Sequence, residues 1–122
     1  MIKLKLKYSD ILMLEKACFY YSEIEEEFFS DKHSFMYKQS VAQHLYNKKI
    51  KRLAHNPPAV VSGKKTRDKT MNLEYFEASM LSEVLDKYTY GNPDMHYEAN
   101  FARQLLLMIQ DRQLAGSSGR IP

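Results

Sequence analysis

The sequence predicts a mainly α-helical single domain, a four-helix bundle-like fold with a short N-terminal β-strand. The first eight residues, MIKLKLKY, alternate apolar residues with lysine, a period of two that is typical of a half-buried strand. Farther along, apolar residues recur at helical spacing, and NPP at 56–58 and GNPD at 91–94 divide the helical stretches. With 122 residues, the chain is expected to form one domain around one core. We assign this domain to residues 1–115 and a polar C-terminal tail to residues 116–122.

A strand with one lysine face and one apolar face is predicted over residues 1–8. Its lysine face consists of Lys3, Lys5 and Lys7. Its apolar face consists of Ile2, Leu4, Leu6 and Tyr8. A single strand needs a partner for its backbone hydrogen bonds. The sequence offers two candidates: the Ala-Val-Val segment at 59–61, and the same strand of a second copy of the chain.

Four helices are predicted, over residues 9–29, 32–54, 72–90 and 93–114. Ser9 and Asn72 are expected to cap the first and third helices, because short polar side chains accept hydrogen bonds from free helical N–H groups. Gly91 is expected to end the third helix in a left-handed conformation, and Asn92 to cap the fourth helix. Residues 56–70 form the one long connection, a loop rich in basic residues.

The helical spacing also predicts which side chains form the core. These positions are Ile11, Leu14, Cys18, Tyr21, Phe35, Ala42, Tyr46, Ile50, Leu53, Leu73, Phe76, Met80, Val84, Tyr88, Ala102, Leu105, Leu106 and Ile109. Because Cys18 belongs to this apolar stripe, we interpret it as a small core side chain and not as a nucleophile.

The formal net charge is +3, but the charges are unevenly distributed. Residues 10–31 carry seven acids and one base, whereas residues 48–69 carry eight bases and one acid. Blocks of this kind favour oppositely charged partners. The acidic run at the end of the first predicted helix therefore offers a contact for a basic partner through Glu23, Glu25, Glu26 and Glu27.

The basic segment offers contacts for an anionic partner or a nucleic acid, and it divides into two parts. Four cations fall in the last turns of the second helix, where they complement the helix dipole: Lys48, Lys49, Lys51 and Arg52. Four others fall in the loop, where they have no such structural reason: Lys64, Lys65, Arg67 and Lys69. No aromatic residue lies between Tyr46 and Tyr75 to stack on bases. Any nucleic-acid contact is therefore expected to be electrostatic and sequence-tolerant.

A strand with alternating lysines followed by two helices resembles the ribbon-helix-helix repressors. The resemblance covers the first part of the chain only. It implies that two strands pair across a dimer and lie in the major groove of DNA, with Lys3, Lys5 and Lys7 as the contact residues. The chain departs from that family in its longer first helix and in a helix–helix turn, at residues 29–31, that lacks the usual glycine.

No pattern of a common catalytic or metal site is present in the sequence. SGKKT at 62–66 ends like a phosphate loop, but Pro58 stands where the first glycine belongs and Lys65 where a magnesium-binding hydroxyl belongs. No glutamate has a histidine three residues later. We therefore expect no enzyme activity, no metal, no cofactor and no small-molecule substrate. A single cysteine and short apolar runs predict a cytoplasmic protein without a membrane partner.

The leading functional prediction is a non-enzymatic helical protein–protein interaction module, a subunit or adaptor of a larger assembly or a homo-oligomer. It rests on the separated charge blocks and on nine tyrosines and six phenylalanines, more aromatic side chains than one small core requires. The alternative is a nucleic-acid-binding accessory or regulatory protein that uses residues 48–69 and the N-terminal lysines.

Overall fold

A computed structural model describes residues 1–24, 32–57, 68–92 and 94–118. Its elements are β1 (Ile2–Leu6), α1 (Tyr8–Glu23), α2 (Lys32–Leu45), a π-helical turn (Tyr46–Ile50), α3 (Lys51–Ala54), β2 (Lys69–Leu73), α4 (Tyr75–Gly91) and α5 (His96–Ser118). Because α2, the π turn and α3 follow one another without a break, they form one helical segment, which we refer to as α2–α3. The predicted mainly α-helical fold with an N-terminal strand is confirmed.

Strand β1 pairs antiparallel with β2, with Leu4 opposite Met71 at the centre of the ladder. The observed partner, β2, belongs to the same chain and is neither of the two predicted candidates; residues 59–61 lie outside the described residues, so pairing with that segment is not tested. The β2 sequence KTMNL does alternate, because Met71 and Leu73 are buried between exposed neighbours. Two apolar positions are too few to distinguish a strand from the end of a loop, so the sequence alone predicts a loop and the start of the third helix over these residues.

The described chain consists of two halves with the same topology, each a strand followed by two helical segments. The first half is β1, α1 and α2–α3, and the second half is β2, α4 and α5. The last helical segment spans 23 residues in both halves, Lys32–Ala54 and His96–Ser118. Helix α1 packs on α4, and each of these two helices also contacts the last helical segment of the other half. The two halves of the chain thus pack against each other as the two subunits of a dimer would, although their sequences differ.

The register of the sheet relates the two halves by a pseudo-two-fold axis. When Leu6 is aligned with Leu73, the central residue of β1, Leu4, aligns with the central residue of β2, Met71. These two residues are also directly opposite each other in the antiparallel ladder. The same alignment matches further identical residues: Tyr8 with Tyr75, Met13 with Met80, Leu14 with Leu81 and Tyr21 with Tyr88. The ribbon-helix-helix resemblance implied strand pairing across a dimer; here the pairing is between two halves of one chain.

Both first helices begin directly after their strands with the same backbone contact. The Lys7 N–H donates to the Asp10 carboxylate at 2.9 Å, and the Glu74 N–H donates to Glu77 Oε1 at 2.8 Å. An acid in the first turn binds a free N–H group and complements the positive helix end. The prediction that Ser9 caps the first helix is therefore wrong, since α1 already includes it.

Two helix ends differ from their predicted positions. Helix α1 ends at Glu23, and Ile24 is extended with φ −64° and ψ 133°, so the predicted continuation to residue 29 is wrong at this point. Acidic side chains oppose the negative C-terminal helix end, which favours the earlier stop. Helix α5 continues past Gly116 to Ser118. A glycine inside a helix costs only about 1 kcal/mol relative to alanine, and this is too little to end a well-packed helix.

The turn between α4 and α5 uses Gly91 for its small size. Gly91 is the last residue of α4, and a Cβ atom there would lie 1.6 Å from the Tyr20 hydroxyl oxygen, so the glycine makes room for that ring. The predicted left-handed conformation is absent at this position. Asn92 does not cap the next helix either, because its side-chain amide donates back to the Tyr88 carbonyl at 2.9 Å and α5 begins only at His96.

One core cluster joins the inner face of the sheet to the helices. The predicted core positions are buried or, for Leu53 and Leu106, half-buried, with one exception. Phe76 is 66% exposed. The prediction followed steps of four residues along α4, and each such step turns about 40° beyond a full helical turn. Three steps therefore place Phe76 about 120° around the helix from Tyr88, away from the core.

Candidate functional site

The two-stranded sheet has one buried face and one exposed face. Its buried side chains are Ile2, Leu4, Leu6, Met71 and Leu73, none more than 4% exposed. They fix the sheet on the helices and thereby orient the opposite side chains toward solvent. We refer to these exposed side chains as the outer sheet face, which consists of Lys3, Lys5, Thr70 and Asn72.

The register arranges the outer sheet face as two cross-strand pairs. Lys3 lies opposite Asn72, and Lys5 lies opposite Thr70. Neither lysine faces a carboxylate, although an opposite charge at that position would stabilise the pair. The two lysines are neighbours on the same face of β1, about 7 Å apart along the strand. The face therefore combines two cations with an amide and a hydroxyl, groups that donate and accept hydrogen bonds.

Two further exposed cations lie at one end of the sheet; only Lys7 continues the outer-face alternation of β1, because Lys69 pairs with the buried Leu6 and so lies on the other face. Lys7 follows β1, and Lys69 is the first residue of β2. Among the ion pairs formed between described residues, none includes these two lysines or the lysines of the outer sheet face. Two exposed acids, Asp68 and Glu74, flank β2, so the positive charge is concentrated along β1.

Lys49 connects the helical segment of the first half to the edge of β2. Its Nζ donates to the Asn72 backbone carbonyl at 2.9 Å and lies 3.9 Å from Glu77 Oε1. These contacts give Lys49 a structural role in the fold. It lies in the π turn, and α5 has no such turn at any described position. The other cations predicted at this helix end are exposed: Lys48, Lys51 and Arg52.

Six of the predicted contact residues lie outside the described residues: Lys64, Lys65, Arg67, Glu25, Glu26 and Glu27. Of the predicted loop cations, Lys69 is described, and it belongs to β2 and not to a loop. Glu23 is the exposed last residue of α1. Contact of this acidic run with a basic partner stays a prediction.

Thr70 and Asn72 belong to the outer sheet face, although the sequence pattern predicts neither as a contact residue. Asn72 was predicted to cap a helix, but it lies in β2 with its side chain exposed, and Thr70 was assigned to the basic loop. The available signal was the alternation of KTMNL, which has the same period of two as β1.

Among the described residues, three helix-borne lysines, Lys16, Lys38 and Lys49, have carboxylate partners, unlike the lysines of β1. Lys38 Nζ donates to Glu83 Oε1 at 2.9 Å, and the other oxygen of Glu83 accepts the hydroxyl of the buried Tyr21 at 3.3 Å. Burial, and then the neighbouring Glu83, raise the pKa of Tyr21, so its hydroxyl stays protonated as a donor. This network joins α1, α2 and α4 and is accounted for by the fold.

A second network has the same layout around Tyr88, but its acid and its base have changed places: the lysine lies on the first helix of its half and the glutamate on the last helical segment. Lys16 Nζ donates to Glu98 Oε1 at 2.6 Å, and the Tyr88 hydroxyl donates to the other Glu98 oxygen at 2.7 Å. In the alignment of the halves, Tyr88 corresponds to Tyr21 and Lys16 corresponds to Glu83. The hydrogen bonds from Lys16 and Tyr88 lower the pKa of the Glu98 carboxyl. Here α1, α4 and α5 are joined.

Cys18 is a core side chain, 5% exposed. Burial, and then the nearby Glu15 carboxylate, raise the pKa of its thiol to about 12. Because the thiolate is the reactive form, this thiol is unreactive at neutral pH. Glu15 accepts the Tyr46 hydroxyl at 2.8 Å and lies 3.4 Å from His55 Nε2. These groups tie α1 to α2–α3 and form no nucleophilic pair with the thiol.

Over the described ranges, no group of three His, Cys, Asp or Glu residues is placed to hold a metal ion. No helix in these same ranges is long and apolar enough to cross a membrane. Two surface depressions lie on the helices of the second half, one along α5 and one beside the turn between α4 and α5.

No known protein family, curated protein or solved structure matches this chain.

Proposed function

We propose that the protein is a non-enzymatic interaction module that binds duplex nucleic acid through the outer sheet face. The observation that carries this proposal is the register of the sheet, which places Lys3 and Lys5 beside Asn72 and Thr70 without an opposing carboxylate. Lysine binds phosphates and the guanine edge, while asparagine and threonine side chains hydrogen-bond base edges. The outer sheet face thus combines an affinity for phosphate with groups that distinguish bases.

The dimensions of the sheet favour B-form DNA as the ligand. Two strands lie about 5 Å apart, and a two-stranded ribbon fits the major groove of B-form DNA, which is about 12 Å wide. Five residues per strand give the ribbon a length of about 17 Å. A-form RNA has a deep and narrow major groove that does not admit such a ribbon.

The exposed cations around the sheet are suited to contact the DNA backbone. Lys7 and Lys69 lie at one end of the ribbon. Arg52 is exposed and lies three residues after Lys49, whose side chain contacts β2. Contacts of this kind orient a protein on the duplex, while the outer sheet face contacts the bases.

A structural explanation for the strand lysines competes with this proposal. Lysines on an exposed strand also prevent it from pairing with the strand of another molecule. In that case Lys3 and Lys5 would affect solubility and not DNA affinity, so substitutions that remove only their charge separate the two explanations.

The test is binding of the full chain to short random-sequence duplex DNA at about 50 mM and about 200 mM salt. We expect the double substitution Lys3→Gln and Lys5→Gln to weaken binding at least about tenfold at low salt. It should also reduce the slope of log K against log salt by about 1 for each lysine that contacts a phosphate. Fluorescence anisotropy measures both quantities.

The matched control is the double substitution Lys16→Gln and Lys38→Gln, which removes the same charge from the helices. It should leave DNA binding nearly unchanged. An equal loss in both variants would mean that only net charge matters, and no binding of the natural sequence at about 50 mM salt would overturn the proposal. Urea denaturation of each variant separates lost binding from lost folding.

A role as subunit or adaptor of a protein assembly is a separate proposal. The described surface that favours it is α5, and the partner that fits this surface is a second copy of the chain.

A further inference from the structure

Helix α5 has an exposed leucine on the side opposite the core. Ala102, Leu105 and Ile109 are buried against the other helices, whereas Leu107 is 53% exposed. At about 100° per residue, Leu107 lies about 200° around the helix from Leu105, so the fold itself does not require an apolar side chain there. A single exposed leucine does not by itself mark an interface, and the charged residues on either side of it supply the second feature.

Opposite charges flank Leu107 symmetrically. Arg103 lies four residues before it and Asp111 four residues after it, and both side chains are exposed. Residues four apart share one face of a helix, so all three lie on the outer face of α5. Neither charge takes part in an ion pair with another described residue.

This pattern is complementary to itself. In an antiparallel pair of identical helices with a two-fold axis at Leu107, Arg103 of each copy faces Asp111 of the other, so two ion pairs form. Contact of the same patch on both subunits is the arrangement that a two-fold dimer requires. A parallel pair would instead bring like charges together, which disfavours that orientation.

The surface beside Leu107 has a shape that fits such a contact. A shallow depression along α5 is lined by Gln104, Leu107, Met108, Asp111 and Arg112. An apolar side chain from a facing helix can occupy it and cover Met108, which is only half-buried within one copy. Leu107 of a second copy would fill the depression on each side of the two-fold axis.

We infer that α5 is a homodimer contact, in which a second copy of the chain binds antiparallel about Leu107 with reciprocal Arg103–Asp111 ion pairs. Formation of this dimer does not depend on nucleic-acid binding. If both proposals hold, the dimer carries two outer sheet faces and binds long DNA more tightly than one copy does, because the second contact is intramolecular.

The test uses two single charge reversals of the full chain, Arg103→Asp and Asp111→Arg. Each places like charges opposite one another twice, so we expect each variant alone to be monomeric, with a dimer dissociation constant at least about tenfold higher than that of the natural sequence. Mixed together, the two variants should form a heterodimer, because every pair across the axis is again of opposite charge. Sedimentation equilibrium over a concentration series measures all three states.

Rescue by mixing keeps the test independent of folding, since a misfolded variant would not regain a partner. The control Tyr37→Ser changes a side chain on α2 that is 72% exposed and should leave the dimer intact. A natural sequence that stays monomeric up to about millimolar concentration would overturn the inference. So would a dimer that both charge reversals leave intact, or a mixture that fails to associate.

Discussion

The two halves of the chain share their geometry but differ in their chemistry. Each half is a strand followed by two helical segments, and the two strands pair antiparallel with Leu4 opposite Met71 at the centre. The first half presents two lysines on the outer sheet face, while the second presents a hydroxyl and an amide. The features that the two halves share form the core, and the side chains in which they differ lie on the surfaces that we propose as functional.

The reversed ion pairs show why unlike halves pair with each other. Lys38 of the first half contacts Glu83 of the second, and Lys16 of the first contacts Glu98 of the second. Because Lys16 corresponds to Glu83, two first halves paired in the same way would place Lys16 near Lys38. Two second halves would place Glu83 near Glu98. The charges therefore favour the observed pairing over both alternatives, which is specificity by repulsion.

The largest effect on the free energy of unfolding is expected from a substitution at the centre of the sheet, where the two halves meet. Leu4 is 1% exposed, so Leu4→Ala should destabilise the protein by about 2–5 kcal/mol through lost burial and a cavity. Lys5→Ala on the opposite face of the same strand should change stability by no more than about 0.5 kcal/mol. Urea denaturation measures the free energy of unfolding of both variants. Equal effects would show that the sheet is not anchored by its inner face.

A smaller effect is expected when the charge pattern between the halves is broken. Lys38→Glu places two acids together beside Tyr21, and we expect a loss of about 0.5–1 kcal/mol, because both side chains of the natural pair are partly exposed to water. The double variant Lys38→Glu and Glu83→Lys restores opposite charges and should recover most of that loss. A double-mutant cycle from urea denaturation measures the coupling, and additive losses would argue against the ion pair.

The smallest effect on stability is expected when the Lys16–Glu98–Tyr88 network loses its charge at low pH. Hydrogen bonds from Lys16 and Tyr88 lower the pKa of Glu98 from its ordinary value of 4.5. Its contribution to stability is thus fully present above that value and is lost as the pH falls through the lower pKa of the folded state. Thermal unfolding should show a shallower loss of Tm below about pH 4.5 for Glu98→Gln than for the natural sequence. Parallel curves would contradict this assignment.

Lys16 has the opposite dependence on pH. The hydrogen bond to Glu98 raises the pKa of Lys16 above its ordinary value of 10.5. Its contribution is fully present below that value and is lost as the pH rises through the folded-state pKa. The network is therefore intact at neutral pH, where both groups are charged.

Much of the fold could be predicted from the sequence, because periodicity is a local property. The alternation of β1 gave its buried and exposed faces correctly, and the second helical segment was predicted with its observed bounds, Lys32 to Ala54. The π turn inside that segment has no sequence signal that we recognise. The candidate site was half predicted: Lys3 and Lys5 were named, but Thr70 and Asn72 were not.

Residue spacing along one segment is enough to predict β1, most of the helical segments and their amphipathic faces, because periodicity is a local property. Which segments pair with one another follows only from the packed fold. The partner of β1, the register beside Lys3 and Lys5, and the exchanged ion pairs all depend on contacts between residues far apart in the chain. Such contacts are fixed by the packing of the whole core and leave no mark in the periodicity of either segment.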